Sequence, residues 1–174
     1  MDAIAHRDAL TGIRNRFAYD QEIRRLDEQL AEGRSDFGIA IVDLNDLKII
    51  NDSYGHECGD ESLVQLSNLI CSVFVHSPVF RIGGDEFAII LRNNDYENIG
   101  TLKAEFENNL LELRVSRDLE PWERISAAFG YALCDPAIDA NTESVFRRAD
   151  MDMYEHKKRM KGSGAVRNKP TTRG

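Results

Sequence analysis

The stretch that most restricts how this chain can fold is Arg81-Ile82-Gly83-Gly84-Asp85-Glu86-Phe87. Val79 to Ile82 and Phe87 to Leu91 read as two short strands, and Gly83-Gly84 between them reads as a tight hairpin turn in which glycine supplies positive φ. Phe87-Ala88-Ile89-Ile90-Leu91 is apolar at every position, so this strand is expected in the middle of a sheet, covered on both faces. Asp85 and Glu86 then stand side by side on a rigid rim. Their mutual repulsion costs stability unless a cation offsets it. The competing reading makes Gly-Gly-Asp only a turn with an acidic tip, and a second acidic site elsewhere decides between the two.

Phe37-Gly38-Ile39-Ala40-Ile41-Val42 is another continuous apolar run with β-branched residues, read as a buried strand with Asp43 at its C-terminal end. If that strand lies beside the hairpin, Asp43, the Leu44 carbonyl and Asp85 form a hard-oxygen set suited to Mg²⁺ and not to zinc. An ion held by so few protein oxygens completes its shell with substrate phosphates and water, which points to a nucleoside triphosphate. The phosphates need cations. Lys48 follows the first acid by a short turn, and Lys157 and Lys161 sit four residues apart on one helix face. Lys157-Lys158-Arg159 is also compatible with a solvated helix end whose cations complement the dipole.

Asn51 and Asp60 lie on two successive helical segments joined by a glycine-bearing turn. A carboxylate can accept from both N1–H and the exocyclic amine of guanine, whereas adenine lacks the N1 proton and would leave Asp60 unpaired, at about 1–3 kcal/mol in a buried pocket. The competing reading makes both residues helix caps.

Between these landmarks the periodicity predicts a helix capped by Asn15 and running to about Gly33, and a short helix from Asp46 to Tyr54. A longer one follows from about Gly59 to His76, then one helix from Asn93 to about Val115, a strand from Ile125 to Leu133 and a last helix from Thr142 to about Lys161. The order interleaves helices and strands around one sheet. The expected fold is α+β and palm-like: a ferredoxin-like βαββαβ core with a mixed sheet of about five strands flanked by helices.

At 174 residues the chain is one domain's length, and 42% hydrophobic with 30% charged residues suffices for a proper core. A net charge of -8 argues against a general nucleic-acid or anionic-membrane binder, so phosphate binding must come from local cations. Cys58, Cys71 and Cys134 are odd in number and dispersed, as expected of reduced cytoplasmic thiols. No apolar run reaches membrane-span length and no signal peptide is legible, so the expectation is a cytoplasmic domain without membrane contact.

Together the motifs resemble the GGDEF family, the diguanylate cyclases that join two GTP molecules into cyclic di-GMP. Gly83-Gly84-Asp85-Glu86-Phe87 carries the resemblance, with Asp8-Ala9-Leu10-Thr11-Gly12-Ile13-Arg14-Asn15-Arg16, Asp43-Leu44-Asn45, Lys48, Ile50-Asn51-Asp52, Gly55-His56, Gly59-Asp60 and Asp150 to Lys157 in the family's order. The resemblance implies that Asp43, Leu44 and Asp85 hold Mg²⁺ or Mn²⁺, two ions per active site, and that Asp85, Glu86 and Lys48 form the catalytic set. Glu86 is either a base or a further ligand. Asn51 and Asp60 are then the guanine readers, and Lys48, Lys157 and Lys161 meet the phosphates. Leu10, Thr11 and Arg16 are read as structural, fixing the entry of the first helix. The family pattern further implies a homodimer with one GTP per chain, and an upstream sensor segment of which residues 1–12 are a truncated lead-in. Residues 13–164 are the expected catalytic domain and 165–174 a loose tail. A silent GTP-binding domain that signals by contact is the main rival. A related nucleotidyl cyclase or oligonucleotide synthase is a weaker one, against which the guanine readers argue.

Some positions depart from the pattern. Asn45 and Asp46 follow the first acid, Ala128 precedes Phe129-Gly130, and Met160-Lys161 stand where glycine and arginine are common, which weakens a bidentate phosphate contact there. An Arg-x-x-Asp product-binding pair is replaced by Phe74 and Ser77, so no allosteric product site is expected.

Overall fold

Runs that are apolar at every position fold as strands only where both faces of a sheet are covered. The computed structural model describes residues 3–162, and within it the sheet is covered on both sides. The elements are α1 (Arg16–Ala31), β1 (Gly38–Leu44), α2 (Leu47–Tyr54), α3 (His56–Val73), β2 (Val79–Arg81), β3 (Glu86–Leu91), α4 (Asn93–Glu97), α5 (Ile99–Val115), β4 (Ala127–Leu133) and α6 (Thr142–Gly162), preceded by a 3-10 turn at Ala3–His6. The strand order is β2-β3-β1-β4. On one face Ala40, Val42, Leu44, Phe87, Ile89 and Phe129 pack under α3 and α5. On the other, Ile39, Ile41, Ala88, Ile90 and Ala128 pack under α1 and α6.

The palm-like α+β class holds, with two corrections of detail. Four strands make the sheet, and every pairing between them is antiparallel, not mixed. The helical crossover from β1 to β2 steps over the place that β3 fills, and β1 in turn separates β3 from β4, so strands that run the same way are never neighbours. A single parallel bridge, Arg14 to Phe80, extends the β2 edge. Asp43 and Leu44 belong to β1 itself and do not follow it.

Helix boundaries differ for local reasons. α3 starts at His56 because Gly55, at φ 95° and ψ 162°, turns the chain directly out of α2. It ends at Val73, before His76. The helix expected over 93–115 is two: the amide and the side-chain amide of Asn98 both donate to the Asn94 carbonyl at 2.9 Å, closing α4 before α5 begins. Ile125 is buried but precedes β4.

The hairpin is not shaped by glycine conformation. Among the described glycines, positive φ occurs at Gly12, Gly33 and Gly55, and not at Gly83 or Gly84. Arg81 sets the turn instead. Its guanidinium donates to the Gly84 carbonyl at 2.7 Å and to both Asp8 carboxylate oxygens at 3.2 Å. Burial raises the Asp8 carboxyl's pKa, but bonds from the Thr11 hydroxyl and amide together with Arg81 outweigh it and hold the carboxyl below its usual range. The lead-in is thereby tied to the hairpin, and residues 165–174 lie outside the described residues. No described helix is long and apolar enough to cross a membrane.

Gly130 lets α6 lie on β4: a Cβ there would come within 2.0 Å of the Met153 amide nitrogen and 2.6 Å of the Ala149 carbonyl. Gly84 faces open space. Chemical denaturation should therefore show Gly130→Ala destabilised by about 1–3 kcal/mol and Gly84→Ala within about 0.5 kcal/mol of the parent.

Candidate functional site

The site forms where β1 and β3 end together. Asp43 and Glu86 are direct cross-strand partners, so their side chains share the sheet face that α6 covers. Beyond them the rung is made in one direction, the Leu44 amide donating to the Asp85 carbonyl at 2.9 Å. Two carboxylates opposed on antiparallel strands repel each other. Lys157 of α6 answers that repulsion, its ammonium donating to Asp43 Oδ2 at 2.8 Å with both side chains largely covered. Asp43 Oδ1 is buried with no hydrogen-bond partner among the described residues.

Electrostatics single out the same residues. Burial pushes the Asp43 carboxyl up; the Lys157 hydrogen bond pulls down and Asp85 raises it again, the net being upward. Burial likewise raises Glu86, reinforced by Asp43, Asp150 and Asp85 against the pull of Arg16. Asp150 and Arg16 are thus part of the field at this site. Asp150, the first residue of the Asp150 to Lys157 motif, lies seven residues before Lys157, two turns along one face of α6.

The other expected residues are placed as follows. Lys48 on α2 and Lys161 in the last turn of α6 are solvent-exposed. Lys157, read as a phosphate contact, pairs with Asp43 here. Asn51 rests against α3 at Gly59, the residue before Asp60: a Cβ there would meet Asn51 Oδ1 at 1.8 Å, so the missing side chain is what makes room for the amide. Asp60 opens onto a groove of about 470 Å³ lined also by Leu10, Glu61, Val64, Leu119 and Glu123. Leu10, read from the sequence as structural, is therefore also a wall of that groove. Asn45, one of the departures, is buried, and its amide donates to Ser126 Oγ at 3.0 Å and Met160 Sδ at 3.5 Å, tying β1 to the end of α6. Phe74 is core, stacked on Phe129 with centroids 5.8 Å apart, and Ser77 donates to Asp95 at 2.7 Å.

Among the described residues no group of three or more His, Cys, Asp or Glu side chains forms a metal cage. The oxygens available for a cation are fewer: Asp43, with its unpartnered Oδ1, the facing Asp85, and backbone carbonyl. That donor set is hard and incomplete, and fits a divalent ion that takes the remainder of its shell from phosphate and water.

A family model described as "Diguanylate cyclase, GGDEF domain" matches residues 5–163. Diguanylate cyclase DgcP of Escherichia coli is 29% identical over 157 residues, covering 90% of this chain and 46% of that protein. The probable diguanylate cyclase DgcC of the same organism is 30% identical over 159 residues, covering 91% and 42%. The chain thus spans less than half the length of these curated relatives. Among solved structures, the coiled coil and GGDEF domain of DgcB from Caulobacter crescentus in complex with c-di-GMP superposes with a TM-score of 0.77 at 27% identity, covering 90% of this chain and 82% of that one.

Because Asp43 and Glu86 hold their protons more tightly folded than unfolded, the cluster costs no stability below the ordinary carboxylate range, and its cost grows as pH climbs through the raised values. Asp85→Asn should therefore stabilise the cation-free protein by about 1 kcal/mol at neutral pH. In thermal melts across pH that advantage should shrink to nothing as the pH falls into the ordinary carboxylate range.

Proposed function

The chain belongs to the GGDEF family of diguanylate cyclase domains, and on that premise we propose that it condenses two GTP molecules into cyclic di-GMP and two pyrophosphates, working as a dimer with one GTP on each chain. The observation that carries this reading is Asp43: a largely covered carboxylate with one oxygen tied to Lys157 and the other without a partner among the described residues, opposed by Glu86 with Asp85 at the next rung. A cluster that costs stability in the absence of a ligand is what a cation-dependent site requires.

Asp43, the Leu44 carbonyl and Asp85 would hold Mg²⁺ or Mn²⁺, two per active site, which when bound supply charge neutralisation and a lowered pKa for the attacking hydroxyl. The chain's own residues do the rest. Glu86, with its raised pKa, stands beside Asp43 as the group to take the proton of the 3′-hydroxyl as that oxygen attacks the α-phosphorus of the other chain's GTP. Pyrophosphate leaves, and a second attack closes the ring. Lys157, which pairs with Asp43 at the edge of the acidic cluster, would share its charge with phosphate oxygens, and Lys48 and Lys161 are exposed cations for the same task. Gly83 and Gly84 are exposed, in no left-handed conformation, and Gly84 borders open space; their use is a bare backbone that phosphates can approach closely. Asn51 and Asp60 read the guanine edge, and ATP would leave the Asp60 carboxylate without a donor.

Each chain holds one GTP, and each GTP brings both an attacking 3′-hydroxyl and an α-phosphorus, so turnover requires two domains face to face. Whatever sets that encounter controls the rate, and an upstream sensor segment in the full-length protein is the natural controller. The work of this domain needs no membrane or nucleic-acid contact, and a cytoplasmic location fits a GTP-consuming enzyme.

Incubation of concentrated protein with GTP and Mg²⁺, followed by mass analysis, should yield cyclic di-GMP at a rate per chain that falls on dilution. Asp85→Asn should lower turnover at least about a hundredfold, the scale of losing a principal charge-stabilising group, with the circular dichroism spectrum unchanged. GTP bound tightly, yet no cyclic dinucleotide at any protein concentration, would establish the silent, contact-signalling reading instead.

A further inference from the structure

The loop between α5 and β4 folds back over the pair of helices that carries Asn51 and Asp60, and one residue makes the attachment. Trp122 is the chain's single tryptophan. Its indole N–H donates to Glu61 Oε2 at 2.7 Å, and its carbonyl accepts from the buried Ser62 hydroxyl at 2.6 Å. Both partners lie on α3 immediately after Asp60. On its other side the indole meets the Tyr54 ring, centroids 5.4 Å apart and tilted by 52°. Tyr54 is the last residue of α2, the helix that holds Asn51. Trp122 thus touches both helices at once, through three different contacts. The same loop supplies Leu119 and Glu123 to the groove onto which Asp60 opens.

α2 and α3 meet directly at Gly55 and pack where Asn51 and Leu47 rest against Gly59, and Trp122 ties them a second time at the Tyr54 end. A hydrogen bond to a carboxylate and an aromatic contact bridging them reinforce that packing. Discrimination between guanine and adenine by a carboxylate and an amide depends on holding the two acceptors in fixed relation, because a hydrogen bond is lost within a few tenths of an ångström and tens of degrees.

We propose that Trp122 is a positioning residue for nucleotide selectivity: through Glu61, Ser62 and Tyr54 it sets the spacing of Asn51 and Asp60 and closes the adjoining wall of the groove. The proposal rests on the reading of Asn51 and Asp60 as base readers. It adds a residue that need not touch the base, and it gives the protein a built-in optical reporter beside that site.

Trp122→Phe keeps a ring against Tyr54 and removes the donor, while Glu61→Ala removes the acceptor and leaves the indole. Each is compared with the parent and with Asp60→Ala for the affinity of the α,β-methylene analogues of GTP and ATP by calorimetry, and for kcat and KM with GTP. Both latch variants should melt cooperatively, bind the GTP analogue about tenfold more weakly, the scale of one hydrogen bond to a charged group, and raise KM with kcat within about twofold. Their preference for GTP over ATP should fall. In the parent, the GTP analogue should shift the tryptophan emission and the ATP analogue should not. Unchanged affinity and preference in both latch variants, or a fall in kcat at constant KM, would overturn the inference while a lost preference in Asp60→Ala keeps the base readers in place. An unchanged preference in Asp60→Ala would remove the base-reading assignment beneath it.

Discussion

The ion pair between Lys157 and Asp43 is the interaction on which the rest of the site hangs. Asp43 is on β1, an inner strand, with Glu86 opposite it and Asp85 at the next rung, so three carboxylates gather at one end of a largely apolar sheet. A buried carboxylate flanked by like charges needs a cation. The chain provides one from α6, a helix that can reach because Gly130 presents no side chain between β4 and the backbone at Met153. Small-residue packing at one place thus sets an electrostatic contact at another.

The pairing also shows where stability has been given up. Asp43 keeps one buried oxygen without a partner, and Glu86 holds its proton more tightly than an exposed glutamate would. Meanwhile the hairpin is braced from outside by Arg81, which links the Gly84 carbonyl to Asp8. Bracing by a side chain leaves the two glycines with no conformational duty, and a bare strip of backbone beside the acids is the consequence. A rigid frame around an uncompensated centre is the arrangement expected of a site completed by its ligand. The base-reading end follows the same plan, with Gly59 seating Asn51 and Trp122 bridging the helices from a distant loop.

Much of this was legible in the residues. The unbroken apolar runs at 37–42 and 87–91 marked buried strands, and their acidic ends marked the site, because complete apolarity and an adjacent carboxylate are both local properties of the chain. The break at Asn98 was hidden, since a residue that bonds back to the preceding turn can end one helix and start the next without disturbing the apolar spacing. The role of Lys157 was only half visible: its charge and helical position could be read, but its pairing with a residue 114 positions earlier could not. Asp150 could be read as the start of the last motif, but its effect on Glu86 could not, because that depends on α6 lying over the end of β3.

The amino-acid order by itself determined the fold class, the two acidic strand ends and the family, because periodicity and motif spacing are written along the chain. The tertiary structure alone decided that all four strands pair antiparallel, that Lys157 spends its charge on Asp43, that Arg81 and not glycine shapes the hairpin, and that Trp122 spans α2 and α3. Each of these depends on which segments become neighbours in space, and that is settled by the packing of the whole core at once.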